Sequence, residues 1–336
     1  MKIDRILSGS TGEAGANASN AEALGYDGLW SVEMAHDPFL PLAMAAGSTD
    51  HIDIGTSIAV GFARSPMTLA NTAYDLQELS GGRMHLGLGS QIKPHITRRF
   101  SMEWSRPAAR MAEMISAMRA IWDSWMTGDK LDFQGDFYSH TLMTPMFNPG
   151  PLTSGPPKVW LAGVGPKMTE TAGRVADGFI CHAFTTERYL NEVTLPILTE
   201  ARSAAGLTMD DFDVIGPGFV ITGETEEQMA AVEVATKRQI AFYGSTPAYR
   251  PVLELHGWGE LQTQLNVMSK QGQWAEMGDL IDDEMVEAFA IRCEPADLPR
   301  RFAERWQADI DRVTFHVPDG GDMELWGPIL DDLKAL

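Results

Sequence analysis

Residues 159–175 read Val159-Trp160-Leu161-Ala162-Gly163-Val164-Gly165-Pro166-Lys167-Met168-Thr169-Glu170-Thr171-Ala172-Gly173-Arg174-Val175. An apolar run at 159–163, short enough for a strand buried on both faces, passes through a glycine turn into a segment with Met168, Ala172 and Val175 on one helical face. Pro166 sits where the first turn of a helix does not need an amide proton. The stretch is a βα unit.

The same unit recurs along the chain. Apolar runs at 3–7, 28–33, 52–60, 84–89, 159–163, 179–181, 214–222 and 313–317 make eight, and most are followed by a helical pattern. Ala18, Ala21 and Leu24 share a face that Gly25 can close. Pro66 opens a helix with Leu69, Ala73, Leu76 and Leu79, which stops at Gly81-Gly82. The longest helix starts near Ser105 and Pro107 and buries Met111, Met114, Ile115, Met118, Ile121, Trp122 and Trp125, a core stripe rather than a cofactor box. Thr225 with Gln228 reads as a capping box for a helix running to Phe242. Alternating strands and helices of this kind imply an α/β fold with a parallel sheet: a (β/α)8 TIM barrel filling residues 1–336 as one domain.

Two segments break the rhythm. The one at about 130–157 is rich in Gly and Pro, with Phe133, Phe137 and Tyr138; the one at 243–299 is helical and turn-rich, with Trp258 and Trp274 and no convincing strand. Both read as insertions over the C-terminal rim of the barrel, serving as lids or dimer surfaces.

Composition excludes several classes of function. With 44% hydrophobic and 21% charged residues the chain can bury a core, and its net charge of −20 opposes nucleic acid and anionic membranes as partners. No run reaches the ~20 apolar residues of a membrane span, and Met1-Lys2-Ile3-Asp4-Arg5 lacks a signal peptide's apolar stretch, so a cytoplasmic protein is expected. Cys181 and Cys293 form no CxxC and are expected to be free buried thiols; no metal site is indicated. GxSxG, HExxH, the P-loop and GxGxxG are all absent, which argues against hydrolase and dinucleotide chemistry.

In a (β/α)8 barrel the chemistry belongs at strand C-termini. Glu33, Ser57, Ser90, Gly163, His182 and His316 fall at or just past such ends. At 162–168, glycines would let backbone amides approach an anion, the helix N-terminus adds its positive dipole, and Lys167 adds a charge, which makes a phosphate cradle. The same glycines would equally serve a plain tight turn. Gly87-Leu88-Gly89-Ser90 opens onto Lys93, His95, Arg98 and Arg99, which read alone as a solvated basic face, although an anionic ligand tail could be held there. Glu33 and His36 suggest a pair that handles a proton or binds a ring, set against the plainer reading of a helix cap and a satisfied loop histidine. His85 reads as core, and His182 as a secondary candidate.

Taken in order and spacing, Ala23-Leu24-Gly25-Tyr26-Asp27-Gly28-Leu29-Trp30, His36-Asp37-Pro38-Phe39, Ile54-Gly55-Thr56-Ser57, Leu79-Ser80-Gly81-Gly82-Arg83, Leu86-Gly87-Leu88-Gly89 and Ala172-Gly173-Arg174-Val175-Ala176-Asp177-Gly178 resemble the bacterial luciferase-like family, in particular its coenzyme F-420-dependent branch. The resemblance covers nearly the whole chain. It implies a barrel, usually a homodimer, with a tricyclic cofactor at the strand C-termini. Carried over by position, Gly89, Ser90 and His95 would meet the cofactor's ring and side chain, and Gly163, Val164, Gly165, Pro166, Lys167 and Met168 its phosphate. Ser57 and Ile58 would form a bulge against the ring, often with a non-prolyl cis peptide in similar enzymes. Glu33 matches an acidic position near the ring. Ile92 stands where the sugar-phosphate dehydrogenases of this branch carry a glutamate general acid, which argues against glucose 6-phosphate as substrate.

The resemblance implies hydride transfer between the deazaflavin C5 and a small organic substrate, with CH–OH, CH–NH and C=C all open and with His36 or Glu33 handling the proton. The basic run from Lys93 to Arg99 favours F-420, whose oligoglutamate tail is anionic. The alternative cofactor is FMN, in a monooxygenase using oxygen and reduced flavin from a partner reductase. A flavin-binding barrel without catalysis is the reading from another functional class.

Overall fold

A computed structural model describes residues 1–216, 218–306, 309–315 and 323–335, apart from the side chains of 323–325. Eight parallel strands form a closed ring: β1 (Lys2–Ile6), β2 (Gly28–Ser31), β3 (Asp53–Thr56), β4 (Met84–Gly89), β5 (Lys158–Gly163), β6 (Gly178–Cys181), β7 (Asp213–Gly216) and β8 (Arg312–Thr314). Neighbours follow chain order, with β8 returning to β1 and β3 pairing with β4 through Ile54–Met84 and Gly55–His85. The expected strand at 52–60 breaks at Ser57-Ile58, whose peptide is cis, and resumes as Ala59–Val60 beside Leu88–Gly89. The run at 214–222 breaks likewise: beyond β7, Val220–Ile221 leaves the barrel to pair with Ile291–Arg292. Part of the eighth expected run, including His316, lies outside the described residues.

The helices cover the ring. They include α1 (Ala14–Ala23), α2 (Phe39–Ala46), α3 (Pro66–Leu79), α4 (Pro107–Thr127), α5 (Pro166–Val175), α6 (Leu195–Ala204) and α7 (Glu226–Gly244). Gly25 at φ 91° ends the turn after α1, as its position suggests. Ser65 caps α3 by accepting from the Thr68 amide, and Thr225 with Gln228 forms the reciprocal box that opens α7. All seven members of the α4 stripe from Met111 to Trp125 are buried, so their period reports packing.

The barrel interior has a charged base and an apolar top. Arg312 forms a bidentate pair with Asp4 at 2.8 and 2.7 Å, reaches Asp53 at 2.7 Å, and lies against the faces of Trp30 and Trp160. His85 sits beside both indoles. Gly28 leaves room for this group: a Cβ there would come within 2.5 Å of Arg312 Nη2 and 2.6 Å of Asp4 Oδ1. Above it, Trp30, Trp160, Ile180 and Ile215 pack together with Ile6, Ile58 and Ala162. The barrel is thus filled, and the space for chemistry is above Ile58.

The two insertions sit differently. The first runs along α3 and α4, where Tyr74 Oη donates to Gly150 O, Gln77 donates to Gly155 O, and Glu113 accepts the amides of Asp136, Phe137 and Tyr138. These backbone groups thus find their partners on side chains of α3 and α4. The second, α8 (Arg250–Leu255), α9 (Gly259–Lys270), α10 (Trp274–Gly278) and α11 (Asp283–Phe289), packs on the ends of β6 and β7 through Phe184, Tyr189, Phe219 and Ile221. It contains the short strand Ile291–Arg292, which its sequence does not suggest. From there α12 (Leu298–Trp306) leads to β8, and α13 (Met323–Ala335) closes the chain.

Candidate functional site

The break after β3 is held from outside the ring. Side chains alternate along β2, with Trp30 inward, so Glu33 points toward the helices. Its Oε2 accepts from the Val60 amide and from Arg64 Nη1, both at 2.7 Å, while its own amide donates to Ile58 O at 3.3 Å. Arg64 Nη2 reaches Asp37 at 3.0 Å, and Asp37 Oδ1 accepts the amides of Phe39 and Leu40 at the start of α2. One guanidinium therefore ties the segment after β2 to the segment after β3. His36 is exposed on that tied loop, without a hydrogen bond among the described residues.

Ile58 projects toward β4. A Cβ on Gly89 would approach its side chain to 2.8 Å, so a glycine there admits the bulge. Ser90 Oγ donates to Gln91 O, and a π-helical turn (His95–Arg99) follows. Lys93, His95, Arg98 and Arg99 are exposed, and Arg99 Nη2 donates to Met34 O, which brings the basic run beside the loop carrying His36.

The glycine loop lies on the next strand. Gly163, at the end of β5, pairs with Cys181 of β6, and Gly165 is the N-cap of α5 with ordinary extended dihedrals (φ −86°, ψ 153°). A Cβ on Gly165 would meet nothing within 4 Å. Pro166 contributes no amide, Lys167 is exposed, and the Met168 and Thr169 amides turn back to Gly165 O. Tyr189 Oη donates to Val164 O at 3.3 Å, anchoring the loop to the β6 side.

The geometry thus divides the expected residues. Ser57, Ile58, Gly89 and Ser90 share one side of the mouth; Gly163, Val164, Gly165, Pro166, Lys167 and Met168 form the turn on β5; His36 and His95 lie on exposed loops; Glu33 braces the bulge from behind. Arg64 is a functional candidate that motif reading misses, and Asp37, though inside the His36-Asp37-Pro38-Phe39 motif, gains a role only as its partner: the only sign of Arg64 is its place just before the Ser65-Pro66 helix start. Cys181 is a buried free thiol that burial pushes up to about 12, and Cys293 is a partly buried one pushed to about 11, so both are held in the protonated form. Among the described residues, no His, Cys, Asp or Glu cluster fits a metal, and no helix is long and apolar enough to cross a membrane. A cleft of about 410 Å³ opens between Thr186, His256, α11 and α12. Its Arg301 is paired with Glu287, and Arg305 donates to the carbonyls ending α11, so its cations are already engaged.

The family model described as luciferase-like monooxygenase matches residues 5–312. The chain belongs to the luciferase-like monooxygenase family. Within it, a Mycobacterium tuberculosis protein described only as uncharacterized is 48% identical over 93% of this chain and 92% of its own length. The 5,10-methylenetetrahydromethanopterin reductase of Archaeoglobus fulgidus is 25% identical over 90% of this chain and 88% of its own. In fold, the chain is similar to coenzyme F-420-dependent tetrahydromethanopterin reductase from Methanopyrus kandleri, with a TM-score of 0.76 at 21% identity, covering 98% and 96% of the two chains.

A planar, phosphate-bearing group fits this luciferase-like barrel. Ile58, Ala162 and Ile180 give the mouth an apolar floor. The start of α5 offers a positive helix end, and the space beside Gly165 is one that any Cβ would enter.

Proposed function

We propose that this luciferase-like protein is a coenzyme F-420-dependent oxidoreductase that transfers hydride between the deazaflavin C5 and a small organic substrate at the barrel mouth. The observation that carries the reading is the open backbone at Gly165 on the N-terminus of α5, beside an apolar floor that ends in the Ser57-Ile58 bulge. The similar Methanopyrus kandleri structure, whose name gives coenzyme F-420, supports a deazaflavin.

The residues in place would divide the work. Gly163 to Met168 would hold the phosphate, through helix dipole, backbone and the Lys167 charge. Ile58, backed by Gly89, would support one face of the ring. Ser90 and His95 would meet its side chain, with Lys93, Arg98 and Arg99 along the route of an anionic tail. His36, carried on the loop that Arg64 secures, would handle the proton at the exposed edge of the mouth. Glu33 would act through the bulge, since its carboxylate is committed to Val60 and Arg64. When bound, the coenzyme supplies the two-electron chemistry, while the protein supplies orientation and electrostatics.

The experiment is a titration of wild type and Gly165→Asp with F-420 and with FMN, at low and high salt. Backbone dihedrals at Gly165 suit any residue and its Cβ meets open space, so the variant should fold with stability within ~0.5 kcal/mol of wild type. A carboxylate in the cradle should weaken coenzyme binding by about 100-fold or more through like-charge repulsion with the phosphate. Undiminished binding by the variant would overturn the phosphate assignment. The word monooxygenase in the family's name supports oxygen chemistry, with FMN as its cofactor, as the second reading: tight FMN binding with negligible F-420 binding would select it, and binding without turnover of any substrate would point to a silent barrel.

A further inference from the structure

Alternation carries the inward face of β6 beyond the sheet. Ile180 packs inside the barrel with Trp160 and Ile215, Cys181 faces the helical layer, and His182 comes next on the inward side. Its imidazole meets Tyr243 and Tyr249, with ring centroids 4.6 Å from each; both belong to the end of α7 and the insertion that follows. Phe184 stacks on Tyr249 and Phe289 behind them. Since Gly163 pairs with Cys181, this aromatic group stands directly beside the glycine loop.

Two hydrogen bonds bear on the tautomer of His182. The Phe184 amide donates to His182 Nδ1 at 3.0 Å, so that nitrogen presents its lone pair. With Nδ1 accepting, the ring proton lies on Nε2, which is 3.2 Å from Tyr249 Oη. His182 donates, Tyr249 accepts, and the Tyr249 hydroxyl proton is left over. No acceptor for it occurs among the described residues. Burial, reinforced by Tyr243, pushes this hydroxyl up to about 12, so it remains a neutral donor throughout the physiological range.

We infer that Tyr249, oriented by His182, is a specificity-determining hydrogen-bond donor for the substrate and selects a neutral acceptor, a carbonyl oxygen or an imine nitrogen, over a bare C=C bond. This rests on the oxidoreductase reading and narrows its substrate class. An uncharged donor held against the inward-facing His182, two residues beyond Ile180, suits a neutral acceptor and has no use for a hydrocarbon: a ligand that covers it without an acceptor would leave the hydroxyl unsatisfied. His182 is a positioning residue in this scheme, acting only through Tyr249.

The test compares isosteric probes on protein loaded with the coenzyme it binds, and on coenzyme-free protein. Cyclohexanone and benzaldehyde are set against methylenecyclohexane and styrene, with affinities read by ligand-observed NMR. Wild type should favour each carbonyl over its hydrocarbon by about 10-fold. That preference should disappear in Tyr249→Phe and in His182→Ala, and return in His182→Gln, whose amide can donate from near the place of Nε2. F-420 affinity should stay within about twofold in all three variants. Equal binding of carbonyl and hydrocarbon by wild type, or a preference intact in Tyr249→Phe, overturns the inference. Loss of F-420 binding in Tyr249→Phe overturns it too, by placing the hydroxyl on the coenzyme. Failure of the underlying reading looks different: wild type itself binds no F-420, and the coenzyme-free measurements then decide the donor's role alone.

Discussion

Replacing Arg312 with methionine is expected to cost about 3–5 kcal/mol of folding stability, because it strands two carboxylates at the base of the barrel. Asp4 is fully buried and receives both arms of the guanidinium, and Asp53 receives the third nitrogen at 2.7 Å. The indoles of Trp30 and Trp160 keep water from replacing it. The pH dependence provides a second check. Burial pushes the Asp53 carboxyl toward its protonated form, but the hydrogen bond and charge of His85, the charge of Arg312 and the hydrogen bond from Lys2 outweigh it, leaving the group well below the usual carboxylate range. A depressed folded-state value stabilises the protein above the unfolded value of about 4, and that contribution is lost as pH falls further. Arg312 supplies part of that depression and is also the counter-charge of the buried Asp4, so the gap between wild type and variant should be widest near neutrality and should narrow toward pH 3. Denaturant unfolding across that range measures the gap. Adding Asp4→Leu to Arg312→Met should recover part of the loss, since the buried charge is removed with its partner. A constant gap, or no recovery in the double variant, would show that the arginine acts mainly by filling space.

Much of the barrel was legible because periodicity reports burial. The runs at 84–89 and 159–163 needed no special chemistry to be seen, and the α4 stripe and the Thr225 box appear in the structure as their spacing implies. Legibility failed where a strand's backbone leaves the ladder. The run at 52–60 is apolar throughout, so hydrophobicity cannot mark the break at Ser57-Ile58; only the resemblance pointed there. At 214–222 the same continuity hid the departure of Val220–Ile221, whose partner Ile291–Arg292 is too short to carry a pattern. The candidate site was legible in its glycines and obscure in its supports. Glu33 was visible as a carboxylate near the mouth, but its direction depends on strand alternation together with a partner, Arg64, from the far side of the bulge. His182 gained meaning only from Tyr249, a residue 67 positions away. Long-range pairs of this kind leave no local trace.

Arg64→Met is expected to disable the mouth while sparing the barrel. The guanidinium joins Glu33, Asp37 and Val60 O, so its loss frees three ends of two loops together. Glu33 would keep the Val60 amide but lose its counter-charge while remaining buried, and Asp37 would keep only its two amides at the start of α2. Because Arg64 retains some solvent contact, the stability cost should be about 2–4 kcal/mol, below that of a fully enclosed pair. The effect on binding should be the more telling one. Ile58 is held through its carbonyl by the Glu33 amide, and His36 rides on the loop that ends at Asp37, so coenzyme affinity should fall by about 10–100-fold as both loops lose their fixed positions. Arg64→Lys should fall between, since an ammonium can reach one carboxylate but cannot bridge two with a planar fork. Glu33→Gln should be the mildest, as its amide oxygen can still accept from Val60. The order wild type, Glu33→Gln, Arg64→Lys, Arg64→Met should appear in both coenzyme titration and thermal unfolding. If Arg64→Met bound F-420 and FMN as wild type does, the brace would be irrelevant to the mouth, and the Ser57-Ile58 bulge would have to owe its position to Gly89 and the β4 pairing alone.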